Sequence, residues 1–345
     1  MSGNIDSVDG TSGDPEAIYE LLRSEIDRVL IGNDEAVEYL AISLLTRGHL
    51  LLEGVPGIAK TTLANLFART TGLEYNRIQM TPDTLPADIT GTHIFRQNAG
   101  TFELQRGPVF ANLVVADELN RATPKTQSAL LEAMEERRVT IEGETLSLPD
   151  PFMVVATQNP IESEGVFQLP EAQRDRFQFK LTLDLPDRPD ERKLLDRFDN
   201  NPELDPDDVD QVIEPQALVN ARQTVEEIHI APPVKEYTLD LVIATRDHAD
   251  VSHGASPRAT LAFLSGSKAR AAIHGRDYVI PDDVKAIAEP VLRHRLVLST
   301  DADLSNVDPA DVISDIVDAA DPPSADTSGV SNATEASDGG NTTLQ

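Results

Sequence analysis

Along the first half of the chain, short apolar runs alternate with segments whose apolar residues return every three or four positions. Leu50-Leu51-Leu52, the run 75–80, Leu113-Val114-Val115-Ala116, the run 152–157 and the run 177–183 all have strand length and composition. Before and between them, helical spacing joins Ile18, Leu21, Leu22, Ile26 and Leu30, then runs through 36–45, Leu63/Leu66/Phe67 and Leu130/Leu131/Met134. This alternation predicts an α/β fold, a mostly parallel sheet flanked by helices. Two stretches break the rhythm. Residues 92–95 and 101–104 flank a turn with Asn98 and Gly100, and 139–148 folds about Glu142-Gly143, so each predicts a β-hairpin insertion.

The second half has no strand pattern. Val225/Ile228, Leu239/Val242/Ile243, Leu261/Leu264 and Val284/Ile287 space as apolar faces, predicting an all-helical lid domain. The expected organisation is a loose tail over 1–14, an α/β core over 15–187 and an Asp/Pro-rich hinge with one short helix over 188–210. The lid follows over 211–321, and a Ser/Thr/Asp/Gly-rich acidic tail, expected to be disordered, over 322–345.

Charge changes the picture. Acidic residues number 59 against 29 basic ones, a formal net charge of −30, while 40% of residues remain hydrophobic. Such self-repulsion opposes a compact state unless salt screens it, and the Debye length falls to about 3 Å at 1 M. The composition therefore predicts adaptation to a salty cytoplasm. Without a basic stripe, nucleic-acid binding is disfavoured. The absence of Cys excludes disulfides and thiolate metal sites. No apolar run reaches the ~18 residues of a membrane span, and the start of the chain lacks the features of a signal peptide, so a cytoplasmic location without membrane insertion is expected.

The chemistry starts where the first apolar run meets a Gly/Pro-rich turn: Gly54-Val55-Pro56-Gly57-Ile58-Ala59-Lys60-Thr61-Thr62. A strand, a loop of free N–H groups and a helix N-terminus together make a phosphate cradle. Lys60 would meet the β- and γ-phosphates and Thr61 would ligate Mg²⁺. Ala59 stands where the usual pattern has Gly, so the expectation is that it avoids positive φ. The buried run 113–116 delivers Asp117 and Glu118 to its carboxyl end, where ligands of open α/β sheets bind. Asp117 is expected to hold Mg²⁺ and Glu118 to orient and partly deprotonate the attacking water. Asn159 follows the next core strand and can reach the same edge with an uncharged amide.

These motifs resemble the MoxR family of AAA+ ATPases. The likeness rests on the loop above, Ala116-Asp-Glu-Leu-Asn-Arg-Ala, Lys125-Thr-Gln-Ser-Ala-Leu-Leu-Glu-Ala-Met, Ala156-Thr-Gln-Asn-Pro, Leu169-Pro-Glu-Ala-Gln-Arg-Asp-Arg-Phe and Gly254-Ala-Ser-Pro-Arg-Ala, in family order over roughly 16–300. The resemblance implies a P-loop AAA+ core with hairpin insertions, ATP and Mg²⁺ as cofactors, and a homo-oligomeric ring, commonly of six subunits. It implies Arg176 as an arginine finger on the neighbour's nucleotide, with Arg174 a rival, and Arg258 as a second sensor on the lid. It also makes Ile31 and Gly32 part of the segment around adenine, and Arg121 an interface residue. The implied activity is ATP hydrolysis that drives chaperone-like remodelling, maturation or cofactor insertion of a protein client, often with a von Willebrand A-type partner. The alternatives are a chelatase-type subunit that inserts a metal into a tetrapyrrole, and a nucleic-acid motor or loader.

Overall fold

The computed structural model describes residues 13–98, 100–160, 165–201 and 205–323. The tails expected over 1–14 and 322–345 lie largely outside the described residues, although Asp14 is already the cap of the first helix.

The five long apolar runs form one sheet. Leu50–Gly54 (β1), Tyr75–Gln79 (β2), Leu113–Asp117 (β5), Met153–Gln158 (β8) and Phe179–Leu183 (β9) lie in the order β2-β5-β8-β1-β9, with every neighbouring pair parallel. Alternate residues of each strand face opposite sides of the sheet. Leu50, Leu52, Val115 and Val155 join one apolar cluster, and Leu51, Val114, Ala116, Val154 and Ala156 join the other. Pro15–Asp27 (α1), Asp34–Thr46 (α2) and Lys60–Thr71 (α3) cover the first face. The second is covered by Pro86–Thr90 (α4) and Pro124–Glu136 (α5). Helix starts coincide with local signals. Asp14 before Pro15, Thr123 before Pro124 and Ser256 before Pro257 each accept an N–H of the first turn.

Both expected hairpins are present. Gly91–Arg96 (β3) pairs with Thr101–Arg106 (β4), and Arg138–Ile141 (β6) with Glu144–Ser147 (β7). The second turns on two residues of positive φ, Glu142 (48°) and Gly143 (93°), the backbone that joins twisted strands most tightly.

Beyond Glu171–Arg174 (α6), the stretch read as a hinge holds Arg188–Asn200 (α7), a helix of 13 residues with none buried. Pro215–Glu227 (α8), Pro232–Asp247 (α9), Pro257–Ile273 (α10), Pro281–Ala286 (α11), Ala288–Leu292 (α12), Thr300–Leu304 (α13) and Pro309–Ala319 (α14) follow. Reading 211–300 as helical throughout misses a small antiparallel pair, Val251–His253 (β10) with Val297–Leu298 (β11). Segments of three and two residues are too short to show a period of two. The C-terminal helices share one apolar cluster with α1–α3 and the first sheet face. Polar ties cross the same contact. Arg222 donates to the Leu44 carbonyl (2.7 and 3.0 Å), Tyr39 to the Ala286 carbonyl (2.9 Å), and Arg270 pairs with Glu38 (3.1 Å).

Just before β1, His49 ties this sheet to α5. Its buried Nδ1 accepts the Val154 N–H (3.0 Å), and Nε2 lies 3.2 Å from the Met134 carbonyl. Burial pushes its pKa down to about 4. An unfolded His titrates near 6.5, so between those values the unfolded chain binds a proton that the folded chain refuses. This contribution is fully present above pH 6.5 and is lost as pH falls toward 4, about 3 kcal/mol in all. Chemical denaturation at pH 7 and pH 4.5 should show His49→Gln losing much less stability on acidification than the wild type. Equal losses would remove His49 as the cause.

Candidate active site

Because β8 lies between β1 and β5, the loops after all three open at one carboxyl edge of the sheet. They enclose a cavity of about 390 Å³ lined by Pro56–Thr62, Asp117, Glu118, Thr157, Gln158 and Asn159. Gly54 leaves β1 hard against its neighbour: a Cβ there would sit 2.7 Å from the Leu183 carbonyl oxygen and 2.3 Å from Ile58. Gly57 turns the loop at φ +89°. Ala59 follows at φ 61°, ψ 24°, contrary to the expectation that it avoids positive φ. A left-handed Ala costs roughly 1–2 kcal/mol, which the fixed strand–loop–helix geometry imposes. The first-turn N–H groups of α3 then point at the cavity. Lys60 reaches back so that Nζ donates to the carbonyls of Gly54 (2.6 Å) and Val55 (2.9 Å). Burial pulls its pKa below the ordinary lysine value, against the opposing pull of Asp117 and Glu118.

Asp117 is the most heavily bonded group in the cleft. Its Oδ1 accepts from Thr157 Oγ1 (2.5 Å), and Oδ2 from Thr61 Oγ1 (3.2 Å) and from Arg77 Nε and Nη2 (3.1 and 2.5 Å). Burial alone would raise its pKa, but these donors outweigh burial and hold it below the ordinary carboxyl value. The residue is therefore a fixed anion beside Lys60 and Thr61. Glu118 has φ 56°, ψ 51°, a second non-glycine residue in the left-handed region, and its N–H donates to Thr157 Oγ1 (2.9 Å). Its Oε2 accepts from Gln79 Nε2 and Arg121 Nη1, both at 3.0 Å. Asn159 is buried where β8 ends, between the phosphate loop and the two carboxylates.

Ile31 and Gly32 line an adjoining cavity of about 400 Å³ that shares Gly57, Ile58 and Ala59 with the first. Gly32 has φ +76°, and a Cβ on it would meet Asp190 Oδ2 at 2.6 Å, so α7 closes over this pocket. Leu183, Leu185 and Leu194 supply an apolar wall suited to a flat base.

Arg176 and Arg258 do not join this cleft. Arg176 lies three residues before β9, whereas the phosphate loop follows the other end of its parallel neighbour β1. Five strand residues separate the two edges, roughly 17 Å. The structure therefore does not bring the lid residue Arg258 to its own phosphate loop. It stands beside Arg176 instead, and both pair with Glu135 (Arg176 Nε to Oε2, 3.0 Å; Arg258 Nη2 to Oε1, 2.5 Å). Arg174 faces elsewhere, lining a cavity with Glu53, Gln158, Asn159 and Lys180 of its own chain.

A family profile described as "ATPase family associated with various cellular activities (AAA)" matches residues 49–179, and one described as "AAA lid domain" matches 243–316. Chaperone MoxR1 of Mycobacterium tuberculosis is 43% identical over 89% of this chain and 84% of its own length. The chain belongs to the MoxR family of AAA+ ATPases. Protein MoxR of Paracoccus denitrificans is 33% identical over 85% of this chain and 92% of that protein. A crystal structure described as that of a candidate ATPase from Cytophaga hutchinsonii superposes with TM-score 0.83 at 37% identity, covering 90% of this chain and 96% of that one.

In this MoxR-family ATPase the protein supplies few hard ligands for a metal. Among the described residues, no group of three or more His, Asp or Glu side chains could hold one. The Thr61 hydroxyl and the ionised Asp117, 3.2 Å apart, suit a Mg²⁺ that takes the rest of its oxygens from phosphate and water. Arg77, Gln79 and Thr157, which hold the two carboxylates, are not singled out by the sequence. Each is a polar residue inside or ending a sheet strand, and that was the available signal. Arg121, an interface residue by the resemblance, also holds Glu118 in this structure.

Proposed function

We propose that this MoxR-family ATPase works as a ring, six subunits in the family's common form, in which each cleft is completed by its neighbour. ATP lies with its base between Ile31, Gly32 and Leu194 and its phosphates on 54–62. Lys60 binds the β- and γ-phosphates, and Mg²⁺, held by Thr61 and Asp117, draws charge off them. Glu118 orients and deprotonates the attacking water, and Asn159 hydrogen-bonds the γ-phosphate or that water. Arg176 and Arg258 of the adjacent subunit neutralise the charge that develops on the transferred phosphoryl group.

One observation carries this reading. Among the described residues lining the cleft, Lys60 is the one basic side chain, Arg77 and Arg121 being engaged by Asp117 and Glu118, while two arginines meet at the opposite edge of the sheet. Phosphoryl transfer relies on positioned cations. Arg176 fits the finger better than Arg174, because Arg176 shares Glu135 with Arg258 at the far edge whereas Arg174 lines a cavity with Gln158 and Asn159 of its own subunit.

The work driven is chaperone-like, on a protein client, with a von Willebrand A-type partner. Phe95 and Phe102, in tilted contact across the β3–β4 hairpin (5.2 Å between centroids) and both exposed, give the ring an apolar contact for that client. The chain's negative charge suits a salty cytoplasm and disfavours a nucleic-acid motor. ATP turnover per subunit, measured in molar KCl with Mg²⁺, should rise steeply with protein concentration as rings form. Turnover proportional to protein down to concentrations where only monomer elutes would rule out shared clefts.

A further inference from the structure

Glu135 lies in the last turn of α5 at the sheet edge away from the nucleotide, yet two cations converge on its carboxylate. It gives one oxygen to each: Oε2 to Arg176 and Oε1 to Arg258. All three side chains are partly open to solvent (37% for Glu135, 28% for Arg176, 47% for Arg258), so another molecule can reach them.

The pairing is built rather than incidental, because one anchor, the half-buried Asp175 held by the buried Arg295, sets both arginines. Asp175, next to Arg176, accepts from Arg295 Nε (2.7 Å) through Oδ1 and from Ser256 Oγ (2.8 Å) through Oδ2. Ser256 caps α10 two residues before Arg258 and accepts that residue's N–H (3.1 Å). Arg295, itself 3% exposed, also donates to the Phe177 (2.7 Å) and Gln178 (3.1 Å) carbonyls. The segment carrying Arg176 and the helix carrying Arg258 thus form one unit. Two guanidinium groups on one carboxylate are arranged as they would be around a phosphate.

We infer that Glu135 is a positioning residue that holds both arginines in the unassembled subunit, occupying the place that the neighbour's terminal phosphate takes in the ring. This rests on the shared-cleft reading above. On docking, the γ-phosphate displaces the carboxylate, and Glu135 turns to solvent. No bond is made or broken; two ion pairs exchange partners. A terminal phosphate with more charge and three oxygens outcompetes a carboxylate. The shorter, more distant diphosphate of ADP does not. Glu135 therefore sets a threshold that makes association depend on ATP.

Glu135→Gln removes the charge and keeps the shape. Turnover per subunit against protein concentration should reach its midpoint at about tenfold lower protein, the scale of one charged hydrogen bond. Turnover at saturating protein should be retained, and light scattering should detect association in ADP, where the wild type stays dissociated. Glu135→Asp, which keeps the charge, should remain closer to the wild type on both readouts. An unchanged or raised midpoint for Glu135→Gln would overturn the inference, as would loss of turnover at saturating protein. Arg176→Ala run alongside separates the two claims. If it leaves turnover unchanged, the shared-cleft reading fails. If it abolishes turnover while Glu135→Gln leaves the midpoint in place, only the role of Glu135 fails.

Discussion

Glu118→Gln should bind ATP with near wild-type affinity and hydrolyse it about 10²–10⁴-fold more slowly, the range lost with a general base. The structure gives a reason to expect affinity and turnover to separate. Glu118 lies at the end of β5, is held by Gln79 and Arg121 through one oxygen, and contacts no part of the phosphate loop in those bonds. Gln can accept the same two hydrogen bonds, so the left-handed turn at 118 and the Thr157 bond to its N–H should persist. What it cannot do is take a proton from water. Equilibrium binding together with single-turnover hydrolysis would check this. Normal turnover would remove Glu118 from the chemical step, and lost binding would mean the carboxylate shapes the cleft instead.

Arg176→Ala should lower turnover in the assembled state by about 10³–10⁵-fold, the usual contribution of an arginine finger. Binding of nucleotide to the isolated subunit should be untouched, since Arg176 and the phosphate loop stand at opposite edges of the sheet. Arg174→Ala should have a smaller effect on assembly-dependent turnover, because Arg174 lines a cavity with Glu53, Gln158, Asn159 and Lys180 and does not join the Arg176–Glu135–Arg258 cluster at the far edge. Steady-state rates for both variants at saturating protein decide between them. A larger loss in Arg174→Ala would reverse the assignment.

Much of this was legible in the chain because the chemistry is local. A phosphate loop is nine consecutive residues between a strand and a helix, and Asp117 and Glu118 follow directly from the burial of 113–116. The alternation of apolar runs also reveals the parallel sheet, since strands buried on both faces read as unbroken apolar segments. What stayed hidden depends on strand order. Arg77 reaches Asp117 only because β2 lies beside β5, and Thr157 does so only because β8 flanks the other side. Helical spacing in α10 singles out Leu261 and Leu264, yet Leu261 is 64% exposed and the helix docks through Ala259, Ala262, Phe263 and Gly266, so the distance of Arg258 from its own nucleotide site could not be foreseen. At Ala59, the local preference against positive φ gave the wrong expectation because the strand and helix on either side fix the backbone between them.

The most direct test of a cleft shared by two subunits mixes two inactive variants. Lys60→Ala has no working phosphate loop but an intact Arg176, and Arg176→Ala has an intact loop but no finger. Each alone should be nearly inert as an ATPase. Mixed in equal amounts in molar KCl with Mg²⁺, they form interfaces that pair the intact loop of one with the intact finger of the other, and hydrolysis should return to a substantial fraction of the wild-type rate. A mixture that co-assembles yet remains as inactive as its parts would contradict the account.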